Sequence, residues 1–500
     1  MQTAILKPAR LWSELRAQRA SSLPLDLIVI AAFVLFVGFR LGFSPRVFFD
    51  GDVSWHLASG QWILSHHQVP MRDPFSYTRY GHPWIAHEWL SSIPMTLAYN
   101  AFGYSGIAFL IASAIAATLL IIGLYVRRWA DPVELAVTLL TVVLVLNPFT
   151  LARPMVLVWP MLAFWVSALL RAREEGCAPS WWLVLMMALW VNLHASFVVG
   201  LGLVAVFAFE ALLESVDKRR VIIEWGSFGI ACGLASLLNP HGLTGVLLPL
   251  GVFTSTTTNL VREFKPTDFT AMPRFEFALL LMVGVAFLRG ARLAPVRLVL
   301  ILGMLHMAIA HMRHQTLFIL VSALVVAPVL TKTWIAGRTA NPGLRDTIRA
   351  VEDRKGLAIM AAIAVAAWAG ILMLAAPVNP PVSAVNPVKA FSAIPAELRN
   401  KPVLNEYSFG GPLILHGIKV YMDGRTDVYG DRYFEEYMHV WKGEPAAFAR
   451  AYNKWHFCWS IFPPDNKELV ALLDRTPGWK RIYSDKFAII HVREACTSQQ

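Results

Sequence analysis

The chain has 500 residues, of which 56% are hydrophobic and only 15% charged. A soluble domain carries roughly 25% charged residues, so composition excludes a water-soluble globular enzyme and indicates a polytopic membrane protein. The net charge of +11 does not indicate a nucleic-acid partner, because most of it falls in short loops between apolar runs, where Lys and Arg orient membrane spans.

In chain order, residues 1–24 are polar and basic (Lys7, Arg10, Arg16, Arg19) and are expected to stay cytoplasmic. The first apolar run, 25–43, lacks a small-residue cleavage site and reads as a retained span rather than a removed signal. A large loop, 44–92, follows. Further apolar runs of spanning character are predicted at 105–126, 132–148, 154–170, 181–195, 197–213, 223–239, 275–289, 295–311, 315–331 and 357–376, which gives about 11 transmembrane helices within an all-α domain, 25–376. The Gly-rich stretch 243–256 is too short to cross and reads as re-entrant or interfacial. With this assignment, Lys and Arg on the cytoplasmic side outnumber those opposite by about two to one, as the positive-inside rule requires. The 44–92 loop and everything beyond the last span then lie outside the cytoplasm.

Residues 377–390 are a Pro-rich linker in which a helix cannot continue. Beyond it, 391–500 alternates between strand and helix patterns. VLNEY, KVYMDG, FCWSIF and FAIIHVR read as strands, and 431–442, 445–454 and 465–475 as helices, giving a small extracytoplasmic α/β domain. None of the four cysteines forms a CxxC pair, which excludes the common zinc and thioredoxin-type motifs. Cys458 and Cys496 share the C-terminal domain and are a candidate disulfide.

The chemistry concentrates in residues 50–90. This stretch holds Asp50, Asp52, Asp73 and Glu88, five of the 14 histidines (His56, His66, His67, His82, His87) and Trp55, Trp62, Trp84 and Trp89. Tryptophan suits the membrane–water boundary because its ring is apolar and its N–H polar. Residues 52–66 read as an amphipathic helix in the interface, with its tryptophans toward lipid and Asp52 toward water or protein. Asp52 is either a catalytic carboxylate at membrane level or simply the cap of this helix. Glu88 precedes an apolar run and is either a functional acid or a solvated first-turn acid favoured by the helix dipole. HEWLS is not a zinc-protease motif, because Ser91 stands where the second His belongs. A joint metal site of the loop histidines is the weaker alternative, and a divalent cation is left open as a cofactor.

Polar and basic residues recur at the non-cytoplasmic ends of separate spans: Arg153, His194, His241, then Arg262, Glu263 and Lys265, then His311, Arg313 and His314. They either meet phospholipid headgroups or build a basic cavity opposite the acids of the first loop. Such a cavity, with His56 on the loop side, suits a phosphate, since Arg matches phosphate oxygens bidentately and cations stabilise a phosphate leaving group.

Three segments of the loop, DGDVSWHLASGQWIL, VPMRDPFSYT and GHPWIAHEWL, resemble the first external loop of bacterial GT-C superfamily glycosyltransferases. The resemblance extends to LLNPHG (237–242), REFKP (262–266), RHQTLF (313–318) and NEYSFGGPLI with VYMDGRTDVYG, and so covers most of the chain. The family includes protein O-mannosyltransferases and lipopolysaccharide glycosyltransferases, which take a sugar from a polyprenyl-phosphate donor. The resemblance implies a multi-pass protein of the bacterial inner membrane that transfers a hexosyl or pentosyl group to an extracytoplasmic glycan, lipid or protein acceptor. It implies that an Asp of the first external loop is the base, matched by Asp52, and that a later acid, matched by Glu88, is functional. The adjacent acidic pair of mannosyltransferases stands here as Asp50-Gly51-Asp52, so Asp50 remains a second candidate, and Asp73 completes the set of loop acids. A non-catalytic protein of the same fold, acting in lipid-linked glycan translocation or envelope assembly, is the alternative from another class.

Asp423-Gly424-Arg425 and Asp427 follow a predicted strand. They either contact an acceptor or form an internal Arg–Asp pair that stiffens a turn.

Overall fold

A computed structural model describes residues 23–252, 262–271, 273–335 and 378–497. The expected cytoplasmic N-terminus and the eleventh expected span, 357–376, lie outside these residues. Each of the ten other expected spans coincides with a helix. They are α1 (Leu25–Gly42), α3 (Trp89–Val126), α4 (Pro132–Leu146), α5 (Pro154–Glu175), α6 (Trp182–Leu193), α7 (Phe197–Glu214), α8 (Lys218–Ala235), α10 (Pro273–Leu288), α11 (Pro295–Ala310) and α12 (Gln315–Ile335). Two more are not expected to cross: α2 (Asp52–His66) in the first loop and α9 (Gly242–Val252), the predicted re-entrant segment. By length and composition, six helical stretches among the described residues can cross a membrane, and α6 and α11 are shorter apolar helices. The chain is therefore a membrane protein with several spans, and the count of eleven is an expectation.

Helix α3 has 38 residues, about 57 Å at 1.5 Å per residue, nearly twice a bilayer core. The break is at Phe102 and Gly103, where Gly103 takes φ +59°, a conformation only glycine adopts cheaply. The stretch after this break coincides with the expected span 105–126, and the first third, 89–101, continues from the end of the first loop.

The C-terminal domain is a four-stranded sheet of β1 (Val403–Asn405), β2 (Trp459–Phe462), β3 (Trp479–Ser484) and β4 (Ile489–Arg493), in the order β1-β2-β4-β3, with only the β1–β2 pair parallel. Alternation along the strands puts Leu404, Phe462 and Ile489 on one face and Val403, Ile461 and Ile490 on the other. The first face packs on α14 (Asp431–Trp441), α15 (Pro445–Trp455) and α16 (Lys467–Arg475) through Phe434, Tyr437, Phe448 and Leu469. The second packs on α13 (Gly410–Leu415) through Leu413. Cys458 and Cys496 are bridged, with Cα atoms 5.7 Å apart.

Two expectations fail here. KVYMDG is not a strand of this sheet, and β3 had not been expected. Val420 instead pairs with the first loop: Tyr77 N–H donates to Val420 O at 3.1 Å and Val420 N–H to Phe75 O at 3.3 Å. Thr78 Oγ1 also donates to Tyr421 O at 2.7 Å. The extended pattern is thus satisfied by a partner some 340 residues away in sequence. The loop also contributes Trp84 and Ala86 to the C-terminal core, so the first loop and the C-terminal domain share one hydrophobic core above the membrane helices.

Candidate active site

The Asp50-Gly51-Asp52 turn is built by close approach. A Cβ on Gly51 would lie 2.4 Å from Ser408 O, and one on Gly411 would lie 2.3 Å from Gly51 O, distances that real Cβ atoms do not reach. The C-terminal segment 408–424 therefore lies directly on the start of α2. A Cβ on Gly424 would fall 2.1 Å from Asp52 Oδ1. Asp50 Oδ1 accepts the Asp52 N–H at 3.0 Å. Asp50 thus satisfies one N–H of the helix terminus, and the Asp52 carboxylate is engaged elsewhere. Its Oδ1 accepts from Trp55 Nε1 at 3.2 Å. Trp55 packs against the loop and C-terminal core, so the expectation that it faces lipid is corrected.

Arg153, at the start of α5, ties the turn to two other elements. Its Nε pairs with Asp50 Oδ2, its Nη1 with Glu263 Oε1, and its Nη2 with Asp52 Oδ2 at 3.0 Å. Three carboxylates therefore converge on one guanidinium. Burial opposes the charge on Arg153, but Asp50, Asp52 and Glu263 outweigh it and raise its pKa well above the usual value. Asp52 responds in the opposite sense. Burial first, then the negative charges of Asp50 and Glu263, push its pKa up to about 7 against the pull of Arg153 and the Trp55 N–H. Its side chain is still 25% exposed, so it is reachable from outside the cluster.

Glu88 stands at the start of α3 among three imidazoles. Its Oε1 is 3.4 Å from His194 Nε2 and 3.7 Å from His87 Nε2, and its Oε2 is 3.6 Å from His56 Nε2. The Ser196 N–H donates to His194 Nδ1 at 3.0 Å, so the His194 proton sits on Nε2 and faces Glu88. His56 Nδ1 lies 3.1 Å from Ser92 Oγ. Burial holds both His56 and His194 well below the usual imidazole range, helped by Arg153 beside the first and Arg313 beside the second. Burial raises the Glu88 pKa, opposed by His87, Arg313 and Arg153. His56 and His194, held neutral by burial, flank the desolvated carboxylate without cancelling its charge. Glu88 is thus not the solvated first-turn acid of the simpler reading.

Of the expected residues, Asp50, Asp52 and Arg153 meet in one cluster, and Glu88, His56 and His194 in an adjoining one. Arg313 acts electrostatically on Glu263 and Glu88 and lies over the Phe264 ring at 4.4 Å. His241 lines a small cleft with His87 and Trp89, and its Nε2 is buried with no partner among the described residues. His314 packs edge-on against His311. Lys265 is exposed and contributes its carbonyl, which accepts the Met312 N–H at 3.0 Å. The Arg262 side chain lies outside the described residues.

Asp73, expected among the catalytic acids, is only 1% exposed and fully engaged. Its Oδ1 accepts from Arg425 Nη1 at 2.7 Å and Phe75 N–H at 3.0 Å, and its Oδ2 from Ser76 N–H and Oγ. Arg425 in turn grips Asp423 with Nε at 2.8 Å and Nη2 at 2.6 Å. Such a saturated pair has no lone pair left for a substrate, and it locks the first loop to the DGR turn. The internal-pair reading of Asp423 and Arg425 is the one the geometry favours. Sequence reading left Tyr407 out altogether, and it named Glu263 and Asp427 without giving either a catalytic or donor-binding role. Tyr407 donates to Gly424 O at 3.4 Å and feels the Asp52 charge. Asp427 acts on Glu88 from the C-terminal side. Glu263 carried one signal, its place in REFKP, but it was passed over in favour of the cations on either side.

No group of three or more His, Cys, Asp or Glu among the described residues is arranged to hold a metal ion. The loop histidines are spread around Glu88, and the carboxylates converge on Arg153.

No family model matches the chain, and no curated protein matches it. Among solved structures, it is similar to the apo form of the oligosaccharyltransferase of Archaeoglobus fulgidus, at 12% identity and a TM-score of 0.52, over 95% of this chain and 74% of that one. At this identity the likeness is one of fold. It agrees with the GT-C-like architecture expected from the first-loop motifs.

Proposed function

We propose that the chain is a membrane glycosyltransferase that moves a sugar from a polyprenyl-phosphate donor to an extracytoplasmic acceptor by direct displacement. The observation that carries this reading is Asp52. It is a carboxylate with a pKa of about 7, partly exposed and fixed by Trp55 and Arg153. A general base works best when its pKa lies near the operating pH. The fold likeness supports the reading, since the archaeal neighbour is an oligosaccharyltransferase.

In the proposed reaction, Asp52 takes the proton of an acceptor O–H as that oxygen attacks the anomeric carbon. The bond from anomeric carbon to phosphate oxygen breaks, and its electron pair leaves with the lipid phosphate, so the anomeric centre inverts. Arg153 was expected to receive that phosphate, but with three carboxylates around it its charge is already spoken for. Arg313 is the better cation for the leaving group, because Glu263 and Glu88 act on it from a distance rather than in contact. Glu88 has a site-facing carboxylate with fixed imidazole partners, a geometry suited to accepting hydrogen bonds from sugar hydroxyls. The active side is the extracytoplasmic face of a bacterial inner membrane.

The test is an assay in membranes with polyprenyl-phosphate sugars, hexosyl and pentosyl, and candidate acceptors. Asp52→Asn should lower transfer by about 10²–10⁴ and Glu88→Gln should raise the donor KM. Product from wild type should have inverted anomeric configuration. Transfer that survives both substitutions together removes this mechanism.

A further inference from the structure

A second cationic feature lies just outside the acid cluster. A groove of about 560 Å³ is lined by Arg46, Phe49, Asn147, Thr150, Leu151 and Arg274, among others. Its lining adjoins the site already described along the chain. Phe49 immediately precedes Asp50, Leu151 stands two residues before Arg153, and Arg274 is the second residue of α10. Arg46 and Arg274 are both exposed, and among the described residues neither guanidinium has an acid partner. That distinguishes them from Arg153, which has three. Phe49, 49% exposed, adds an apolar wall. The groove therefore offers two guanidiniums without an acid partner among the described residues, and an apolar surface, at the end of the helices where the reaction is proposed to occur.

We infer that this groove is the exit site for the polyprenyl monophosphate released by transfer. The inference rests on the proposed function for the identity of the lipid, and on charge for the preference. Before transfer, the phosphate is a diester with one negative charge. After transfer it is a monoester, whose second ionisation near pH 6 gives it close to two charges at pH 7. Two arginines match the dianion, and Arg binds phosphate oxygens bidentately. The groove thus favours product over donor and draws the spent carrier away from Asp52. Phe49 receives the first isoprene units, as an apolar wall next to a charged pair suits a lipid whose head is ionic and whose tail is not.

The experiment uses the full chain in phosphatidylcholine nanodiscs and measures binding of polyprenyl monophosphate, of the same polyprenol without phosphate, of phosphatidylglycerol and of inorganic phosphate. Wild type should bind the monophosphate at least about tenfold more tightly than the Arg46→Gln/Arg274→Gln variant, with Arg46→Lys/Arg274→Lys between them. The two glutamine substitutions should leave polyprenol binding unchanged, and wild-type affinity should fall as the pH drops from 8 to 5 and the dianion is lost. Equal affinity of wild type and the glutamine variant overturns the assignment. So does equal competition by phosphatidylglycerol, which would make the groove a general headgroup contact, or by inorganic phosphate, which would make it a free-anion site. A chain that binds the monophosphate in this way yet transfers no sugar refutes the proposed function but not the groove. A chain that transfers sugar without this preference does the reverse.

Discussion

The two ends of the helical bundle use the same side chains in inverse proportion. At the end away from the site, Glu210 is 1% exposed and is shared by two guanidiniums: Arg297 Nε at 2.7 Å and Nη2 at 3.1 Å, and Arg173 Nε at 3.1 Å. Arg173 also reaches Glu214 at 2.7 Å. Nearby, Arg289 holds Glu134 at 3.0 Å, and Glu174 is bound by Tyr125 and Arg128. There every acid named has a cation in contact. At the other end, one guanidinium serves Asp50, Asp52 and Glu263. Where cations match acids in number, the pairs serve to fasten helices. Where acids exceed cations, burial and the neighbouring negative charges raise the pKa of Asp52 toward neutral pH, the property the proposed reaction uses.

After Asp52 itself, the largest effect should come from removing the guanidinium that the three carboxylates share. Arg153→Met leaves three carboxylates facing each other and should lower transfer by at least about 10²–10³, read as kcat/KM in membranes. Glu210→Gln is its counterpart. Breaking a buried pair costs about 3–5 kcal/mol, so the unfolding midpoint in detergent should drop while transfer by the folded fraction holds. A Glu210→Gln protein with normal stability and no transfer would break the comparison, since it would mean that both ends serve the chemistry.

The pH profile comes next. Asp52 must be ionised to accept a proton, so kcat/KM should fall about tenfold per pH unit below about 7 and level off above it. The small residual rate of Asp52→Asn should lack this limb. Stability moves the other way. The native state holds the Asp52 proton more tightly than the unfolded chain, whose Asp titrates near 4. This group therefore supports folding at low pH and loses that contribution as the pH rises from about 4 to about 7. A wild-type limb near 4 instead would place the base elsewhere.

The helices were legible in the sequence because lipid demands a long apolar run, and each of the ten expected spans within the described residues meets a helix. Asp52 and Glu88 were legible as acids where a span-rich chain had little reason to carry them. Asp73 looked the same by composition, but only the fold reveals that Arg425, 352 residues away, uses up its oxygens. Arg153 looked like a free cation for the same reason: Glu263 becomes its partner only when the loop before α10 is laid beside α5. KVYMDG carried a true strand signal, yet its edge was filled by residues 75–77 rather than by the sheet. Pairings across hundreds of residues leave no local periodicity, so the site's inventory could be read and its bookkeeping of charges could not.

A smaller effect is expected at Gly424. A methyl there would meet Asp52 Oδ1 at 2.1 Å, so either the DGR turn or the carboxylate must shift. The turn is held by the Asp423–Arg425–Asp73 network, and the Asp52 side chain is the easier to move. Gly424→Ala should therefore fold normally and lose about tenfold in kcat/KM, as a displaced reacting group does. An unchanged rate would mean that the placement of Asp52 is not critical, and would weaken its assignment as base.

The smallest effect on transfer should come from the disulfide. The bridge between Cys458 and Cys496 closes a loop with a sequence separation of 38, and chain entropy makes such a closure worth about 4 kcal/mol. It joins the start of β2 to the end of the chain. The site is held by other contacts: Gly51 and Gly411 in close approach, the Val420 pairing and the Asp73–Arg425 pair. Cys458→Ser/Cys496→Ser should thus lower the unfolding midpoint of the C-terminal domain but change kcat/KM by no more than about twofold at temperatures where the domain stays folded. If transfer falls in step with Arg153→Met while the domain remains folded, the C-terminal domain does more than roof the site. The contrast between a fastening end and a reacting end would then have to include a third region, the sheet itself.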